Sequence, residues 1–305
     1  MASEKDFVIK DNILVKYNGN EEYVVIPDGI KVIGDDAFYE CNNLITVSIP
    51  ESVIEIGDSA FGSCEFLRDI VIPDSVLLIE NYAFMGCSSL VKIKLPKKLK
   101  KISTQIFTDC SSLESLEIPD CVESVGFGAF IGCENLQTII FPDSVTEIDY
   151  ECFFQCYNLK TVVLPKNLIK LQSEVFFYCC SLEKILLPDT LNEIEANVFL
   201  YCSFLKEITI PRSVLKLGEG AFYGCHGLKK ITLSEGYNCI GDSVFGDCDN
   251  IRDIYIENSD NNIQNFTIPY LVKTLSKNKY LRFHCRANSF SEMYCIDNNI
   301  KFDIY

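Results

Sequence analysis

The sequence contains no tryptophan, only two histidines (His226 and His284) and three methionines in 305 residues. With so little imidazole, no Ser/His/Asp or Cys/His constellation can be assembled with any force. No apolar run approaches the ~18 to 20 uninterrupted residues that span a bilayer, so no membrane span is expected. The opening stretch MASEKDFVIK is charged and lacks the apolar core of a secretory signal. No glycine loop of phosphate-cradling type is present. Basic residues are scarce beside acidic ones: 27 Lys and Arg against 43 Asp and Glu give a net charge of -16 and a pI near 4.6. A sheath of that sign repels DNA, RNA and anionic lipid, which argues against general nucleic-acid binding. No cofactor is expected.

Cysteine, by contrast, is abundant, at sixteen residues. Ten of them follow a period. Cysteine recurs at 41, 64, 87, 110, 133, 156, 179, 202, 225 and 248, always 23 residues apart. Phenylalanine keeps the same step from 38 to 245, and proline from 27 to 211. Leu44 begins a further column three residues after each Cys, ending at Ile251. Two alternating apolar residues precede each Pro, as in Val47/Ile49, and two more follow it three residues apart, as in Val53/Ile56. The alternating pair predicts a short strand with one face inward. Proline cannot donate to a ladder and so ends the strand and turns the chain. A 23-residue coil cannot bury its apolar side alone, but stacked coils share one core. The period predicts a parallel solenoid.

The unit Leu44-x-x-Val47-x-Ile49-Pro50-x-x-Val53-x-x-Ile56-Gly57-x-x-Ala60-Phe61-x-x-Cys64 resembles the 23-residue leucine-rich repeat of the BspA-like, or Treponema pallidum, class. That resemblance implies a leucine-rich repeat solenoid. A parallel β-sheet forms one face, the arcs are irregular or short-helical, about ten repeats are present, and both ends are capped. The expected organisation is an N-terminal β-hairpin cap over 1–26, the solenoid over 27–256 and a C-terminal α/β cap over 257–305. The hairpin strands are read near 7 to 10 and 13 to 17, with the turn at Asp11-Asn12. In the C-terminal segment, IPYLVKTLSK reads as helix, and the remainder as strand, helix, strand. The resemblance also implies a non-enzymatic protein-interaction role, including adhesion to host or matrix proteins at a microbial surface. The alternative is an intracellular scaffold or regulator that docks a partner or self-associates through an aromatic patch. The absent signal and the many thiols favour a reducing, cytoplasmic home, with surface display through unconventional export as the alternative.

Thiols stacked in a line do not converge tetrahedrally on a metal, and their parallel Cβ atoms do not close to disulfide distance. The column cysteines are therefore read as packing. Of the other six, Cys152 and Cys121 fall in internal columns, whereas Cys180, Cys239, Cys285 and Cys295 are the candidates for exposed thiols. A small polar residue two positions after most prolines, such as Ser52, Ser75 and Ser144, is expected to bond the turning backbone. The lone sequon Asn265-Phe266-Thr267 carries little without secretion.

Positions left free by the repeat are the informative ones. On the strand face, Ile140, Val163 and Leu186 are successive apolar residues where water is expected. Beside the Phe column lie Phe154, Phe177, Tyr178, Tyr201 and Tyr223. Contiguous apolar and aromatic surface marks interaction sites, unless the arcs fold over the rings, and the two groups need not share a face. Lys92, Lys94, Lys97, Lys98, Lys100 and Lys101 crowd a single repeat. They form either a patch facing an acidic partner segment or anionic head group, or a solvated edge that relieves the protein's own repulsion.

Overall fold

A computed structural model describes residues 4–234, 237–257, 270, 271, 273, 275 and 280–305. The chain forms two compact units, Met1–Pro165 and Lys166–Tyr305. Each is a parallel β-solenoid.

The first unit begins with an antiparallel hairpin of Phe7–Lys10 and Ile13–Tyr17. Asp11 and Asn12 turn it with φ of 51° and 64°, the left-handed pair that a two-residue hairpin needs. The coils then follow. In each, a three-residue strand with only its central side chain buried runs into the proline, as in Thr46–Ser48 and Asp69–Val71. The proline carbonyl accepts from the amide three residues on, as between Pro50 and Val53 at 3.1 Å, and closes the turn. A two-residue strand comes next, as in Glu55–Ile56. The sequence pattern did not anticipate this second sheet; its buried member is the apolar residue six after each proline. Equivalent strands pair parallel at a shift of one repeat, as Val47 with Ile70 and Ile56 with Ile79. The two sheets are interrupted one coil apart. Lys92–Lys94 ends one run before Ser115–Glu117 begins the next, and Leu78–Ile79 ends another before Lys101–Ile102.

The arc holding the Phe and Cys columns is a chain of tight turns, not helix. Residues two before and two after each Phe have positive φ, from Asp36 and Glu40 to Ser243 and Asp247. Glycine fills this need at Gly86, Gly128, Gly132, Gly220 and Gly224. The arcs also bond coil to coil: the amide of Phe38 donates to Ala60 O at 2.8 Å, and that of Phe61 to Ala83 O at 2.9 Å. The Phe rings are fully buried and stack, with centroids 5.0 Å apart for Phe38 and Phe61 and 5.9 Å for Phe84 and Phe107. Tyr17 and Phe7 of the hairpin continue the stack, at 5.1 and 5.2 Å. Each buried ring contributes about 1.5–3 kcal/mol of hydrophobic stabilisation.

The polar residue after the proline ties coils together instead of bonding its own turn. Ser75 and Ser144 each donate at 2.7 Å to a carbonyl of the preceding coil, those of Val53 and Val122.

In the second unit the Phe stack runs from Phe176 through Phe199 and Phe222 to Phe245. One sheet joins Glu207–Thr209, Lys230–Ser234, Asp253–Glu257, Arg282–Cys285 and Phe302–Ile304, all parallel. The last two strands therefore extend the solenoid sheet although the sequence period has ended. Between them lies a helix, Phe290–Asp297, capped by the Ser289 hydroxyl accepting from the Glu292 amide at 3.0 Å. Of the stretch read as helix over 268–277, Tyr270, Leu271, Lys273 and Leu275 are described and have helical backbone. The sequon at 265–267 lies outside the described residues.

Candidate functional site

The cysteine column is structural. Each thiol from Cys64 onward in the first unit donates to the carbonyl of the Phe one coil back: Cys64 to Phe38 at 3.1 Å, Cys87 to Phe61 at 3.2 Å and Cys133 to Phe107 at 3.1 Å. The second unit repeats this from Cys202 to Phe176 at 3.2 Å. The same carbonyls already accept from the backbone amide three residues on, so both lone pairs are used. Burial pushes these thiols well above the ordinary range, leaving them protonated and inert. All sixteen cysteines are free. Among the described residues, no group of three or more metal-ligating side chains converges.

Several cysteines depart from the expected burial. Cys285 and Cys295 are buried, because the strand and the C-terminal helix that carry them pack on each other's inner sides. Cys121 is exposed, because its column only edges the turn after proline. Cys41 is half-buried, since it is the first of its column. Cys239 is exposed and Cys152 is buried, as their positions suggested, whereas Cys180, a candidate for exposure, is half-buried.

The strand face presents the free positions. Ile140 and Val163 are partners in register on the parallel strands Thr138–Ile140 and Thr161–Val163. They are 57% and 46% exposed while the residue between strand ends, Ile139 or Val162, points inward. Leu186, in the second unit, is 74% exposed in a coil that forms no three-residue strand.

The aromatic residues belong to the arcs, not to this sheet. Phe154, Phe177, Tyr178, Tyr201 and Tyr223 are all half-buried. In the second unit Tyr178 stacks on Tyr201 at 5.0 Å, with Phe177 edge-on to Tyr178 at 4.7 Å and Tyr223 edge-on to Tyr201 at 6.0 Å. The rings lie along the next coil: a Cβ on Gly224 would meet the Tyr201 ring at 2.4 Å, and one on Gly246 the Tyr223 ring at 2.6 Å. These rings roof the arc and extend the core. Tyr178 and Tyr201 themselves hold φ of 59° and 58°, a conformation that costs a bulky residue about 1–2 kcal/mol.

The lysines divide. Lys97 pairs with Asp74 at 3.6 Å, and Lys100 with Glu123 at 2.6 Å. Lys92 and Lys94 project from the three-residue strand, Lys98 from the turn and Lys101 from the two-residue strand, all exposed.

With this geometry in view, the comparisons are consistent. A family model for the BspA type leucine-rich repeat region matches in six copies, over residues 9–120, 55–179, 100–213 and 173–282. The chain belongs to the BspA-type leucine-rich repeat family. A leucine-rich repeat protein of Treponema pallidum is 33% identical, over 59% of this chain and 90% of that one, with a TM-score of 0.55. One from Bacteroides ovatus aligns over 100% of this chain and 97% of its own, at 24% identity and a TM-score of 0.60. The pneumococcal vaccine antigen PcpA shares the fold at 21% identity and a TM-score of 0.52, over 93% of this chain and 79% of its own. No curated protein matches. BspA-type repeats form a non-enzymatic scaffold that serves, in general, as a protein-interaction module. None of the described helices is long and apolar enough to cross a membrane.

Proposed function

We propose that this BspA-type chain is a protein-binding scaffold whose partner docks on the outer face of the three-residue strands. The observation that carries this reading is the adjacent pair Ile140 and Val163, β-branched and exposed on a face where their inward neighbours already fill the core. Their backbones are held by the ladder, so a partner meets side chains already ordered, which lowers the cost of binding. The half-buried rings of the arcs have a sufficient role in packing, and this favours the strand face over an aromatic patch.

Adhesion to a host or matrix protein is the reading that family likeness suggests. The thiol content supports a reducing compartment instead, since sixteen free cysteines, two of them exposed, are prone to oxidation outside the cell. A scaffold working in the cytoplasm is therefore the setting we favour. Digestion of intact cells with external protease separates the two: protection is expected, and cleavage of this chain restores the adhesin.

The binding reading is tested by affinity capture with the native chain and with Ile140→Asp/Val163→Asp, circular dichroism confirming that both fold. Loss of specific partners from the variant is expected. Recovery of the same partners by both proteins overturns the interface.

A further inference from the structure

The chemistry of the partner is legible in the order of side chains along the first unit's strand face. The outermost positions of successive strands read Val25, Ser48, Val71, Lys94, Glu117, Ile140 and Val163. Val71 is 61% exposed, comparable with Ile140 at the other end. Between these apolar positions stand Lys92 and Lys94, at the two ends of one strand and both exposed.

Neither lysine forms an ion pair among the described residues, although Lys94 lies near enough to Asp74 to help hold its carboxyl low. Lys92 lies in register with Asp69 and forms no ion pair with it. Lys94 and Glu117 hold equivalent positions in successive coils, and an unbroken ladder would bring them about 4.8 Å apart. The sheet is interrupted between those two strands, and no ion pair forms there either. Lys98 in the adjoining turn is also exposed and without an ionic partner among the described residues. Where carboxylates outnumber cations 43 to 27, three exposed lysines without an ion pair in a single coil are a local concentration of positive charge.

A cavity of about 460 Å³ lies where the ladder is interrupted. Ile93, Leu95 and Pro119 form its apolar floor, Lys94 and Lys97 one rim, and Glu117 and Asp120 the other. A carboxylate entering it is drawn to the lysine rim and turned away from the acidic one.

We propose that this face takes a short acidic segment of a partner protein, its carboxylates on Lys92 and Lys94 and its flanking apolar residues seated on Val71 at one end and on Ile140 and Val163 at the other. This rests on the reading above that the strand face binds protein, and it names the partner's chemistry. Val71 to Val163 spans four strand steps, one of them across the interruption, so the distance is no less than about 19 Å, which six or more extended residues cover. The surrounding net charge of -16 repels long polyanions, so nucleic acid and anionic membrane are disfavoured and the acidic run in the segment is short. The apolar anchors supply the contact that exposed ion pairs alone provide weakly.

The test is fluorescence anisotropy with a labelled peptide, Leu-Val-Glu-Asp-Glu-Val-Leu. Three control probes are the same peptide with its acids changed to Gln, the same peptide with its apolar residues changed to Ser, and a single-stranded DNA oligonucleotide. Phosphatidylserine vesicles serve as a fourth arm, by co-sedimentation. The parent peptide is expected to bind best, to weaken with added salt, and to lose at least tenfold in affinity to Lys92→Glu/Lys94→Glu and to Ile140→Asp/Val163→Asp. Circular dichroism confirms that both variants fold. The proposal is overturned if the parent peptide does not bind, if Lys92→Glu/Lys94→Glu leaves its affinity unchanged, or if DNA or vesicles bind as well through the same lysines. If captured partners are lost with Ile140→Asp/Val163→Asp but kept with Lys92→Glu/Lys94→Glu, the strand face still binds protein and the acidic segment is wrong.

Discussion

The thiol of Cys110 donates to the carbonyl oxygen of Phe84, 3.2 Å away in the preceding coil. The amide of Cys87 occupies the other side of that oxygen, also at 3.2 Å. Cysteine holds this column because it is small, apolar and still a donor, and alanine or valine meets only two of those needs. Cys110→Ala removes one hydrogen bond and leaves a small void, and is expected to cost about 1–2 kcal/mol, read as a lower urea midpoint. An unchanged midpoint would contradict both the hydrogen bond and the packing role of the thiol.

The same geometry orders the sixteen thiols by reactivity. Cys121 and Cys239 are exposed and should react first with an aromatic disulfide reagent under native conditions. Cys41 and Cys180 are half-buried, and burial pushes both thiols up from their ordinary value, so they react slowly and faster as pH rises. The twelve buried cysteines wait for unfolding. Peptide mapping after timed labelling checks the order, and early labelling of Cys87 or Cys133 contradicts it.

Much of this was written in the period. Because every coil repeats the same environment, Phe61 and Cys64 announce their burial through nine equivalents apiece. What the columns concealed was direction. Cys64 reads as packing until the structure shows its donor reaching back one coil to Phe38. The left-handed positions flanking each Phe were visible in Gly128, Gly132, Gly220 and Gly224 but hidden where Tyr178 and Tyr201 replace glycine. The strands Arg282–Cys285 and Phe302–Ile304 were readable as strands, but their parallel pairing onto Asp253–Glu257 left no periodic trace. For the candidate site, Ile140 and Val163 were legible as a pair because strand alternation puts them outward. The free state of Lys94 was not, since it depends on an interruption of the ladder that no residue type signals, and neither was that of Lys92, which stays unpaired beside Asp69 on an intact ladder.

Backbone conformation gives a third prediction. Gly132 has φ of 67°, and a Cβ there would come within 2.4 Å of Asp109 Oδ1. Gly132→Ala should cost about 1–2 kcal/mol. The reverse change at the equivalent residue of the next coil, Gln155→Gly, where φ is 62°, should be neutral within about 0.5 kcal/mol, because the strain it relieves offsets the added chain entropy. Paired thermal melts measure both, and equal losses for the two variants contradict the left-handed assignment.

In the second unit, Glu195 lies between Lys170 and the amide and hydroxyl of Ser173, which donate to its carboxylate at 2.8 and 3.1 Å. Burial pushes the carboxyl up, but the Lys170 ammonium and the Ser173 donors outweigh it and hold it below the usual carboxylate range. A group depressed in the folded state adds stability above its unfolded pKa of about 4.3, and that stability is lost as pH falls through the folded value. Native protein should therefore exceed Glu195→Gln in stability at neutral pH, with the gap closing as pH drops below about 4. A gap that widens in acid would mean the carboxyl is raised instead.

The central claim, that the strand face and not the aromatic arc meets a partner, is tested most directly by photo-crosslinking. A benzophenone side chain is placed at Val163 in one protein and at Tyr178 in another, and each is irradiated with its captured partner. The account predicts a covalent adduct from position 163 and none from position 178. An adduct from position 178, with none from 163, would contradict it.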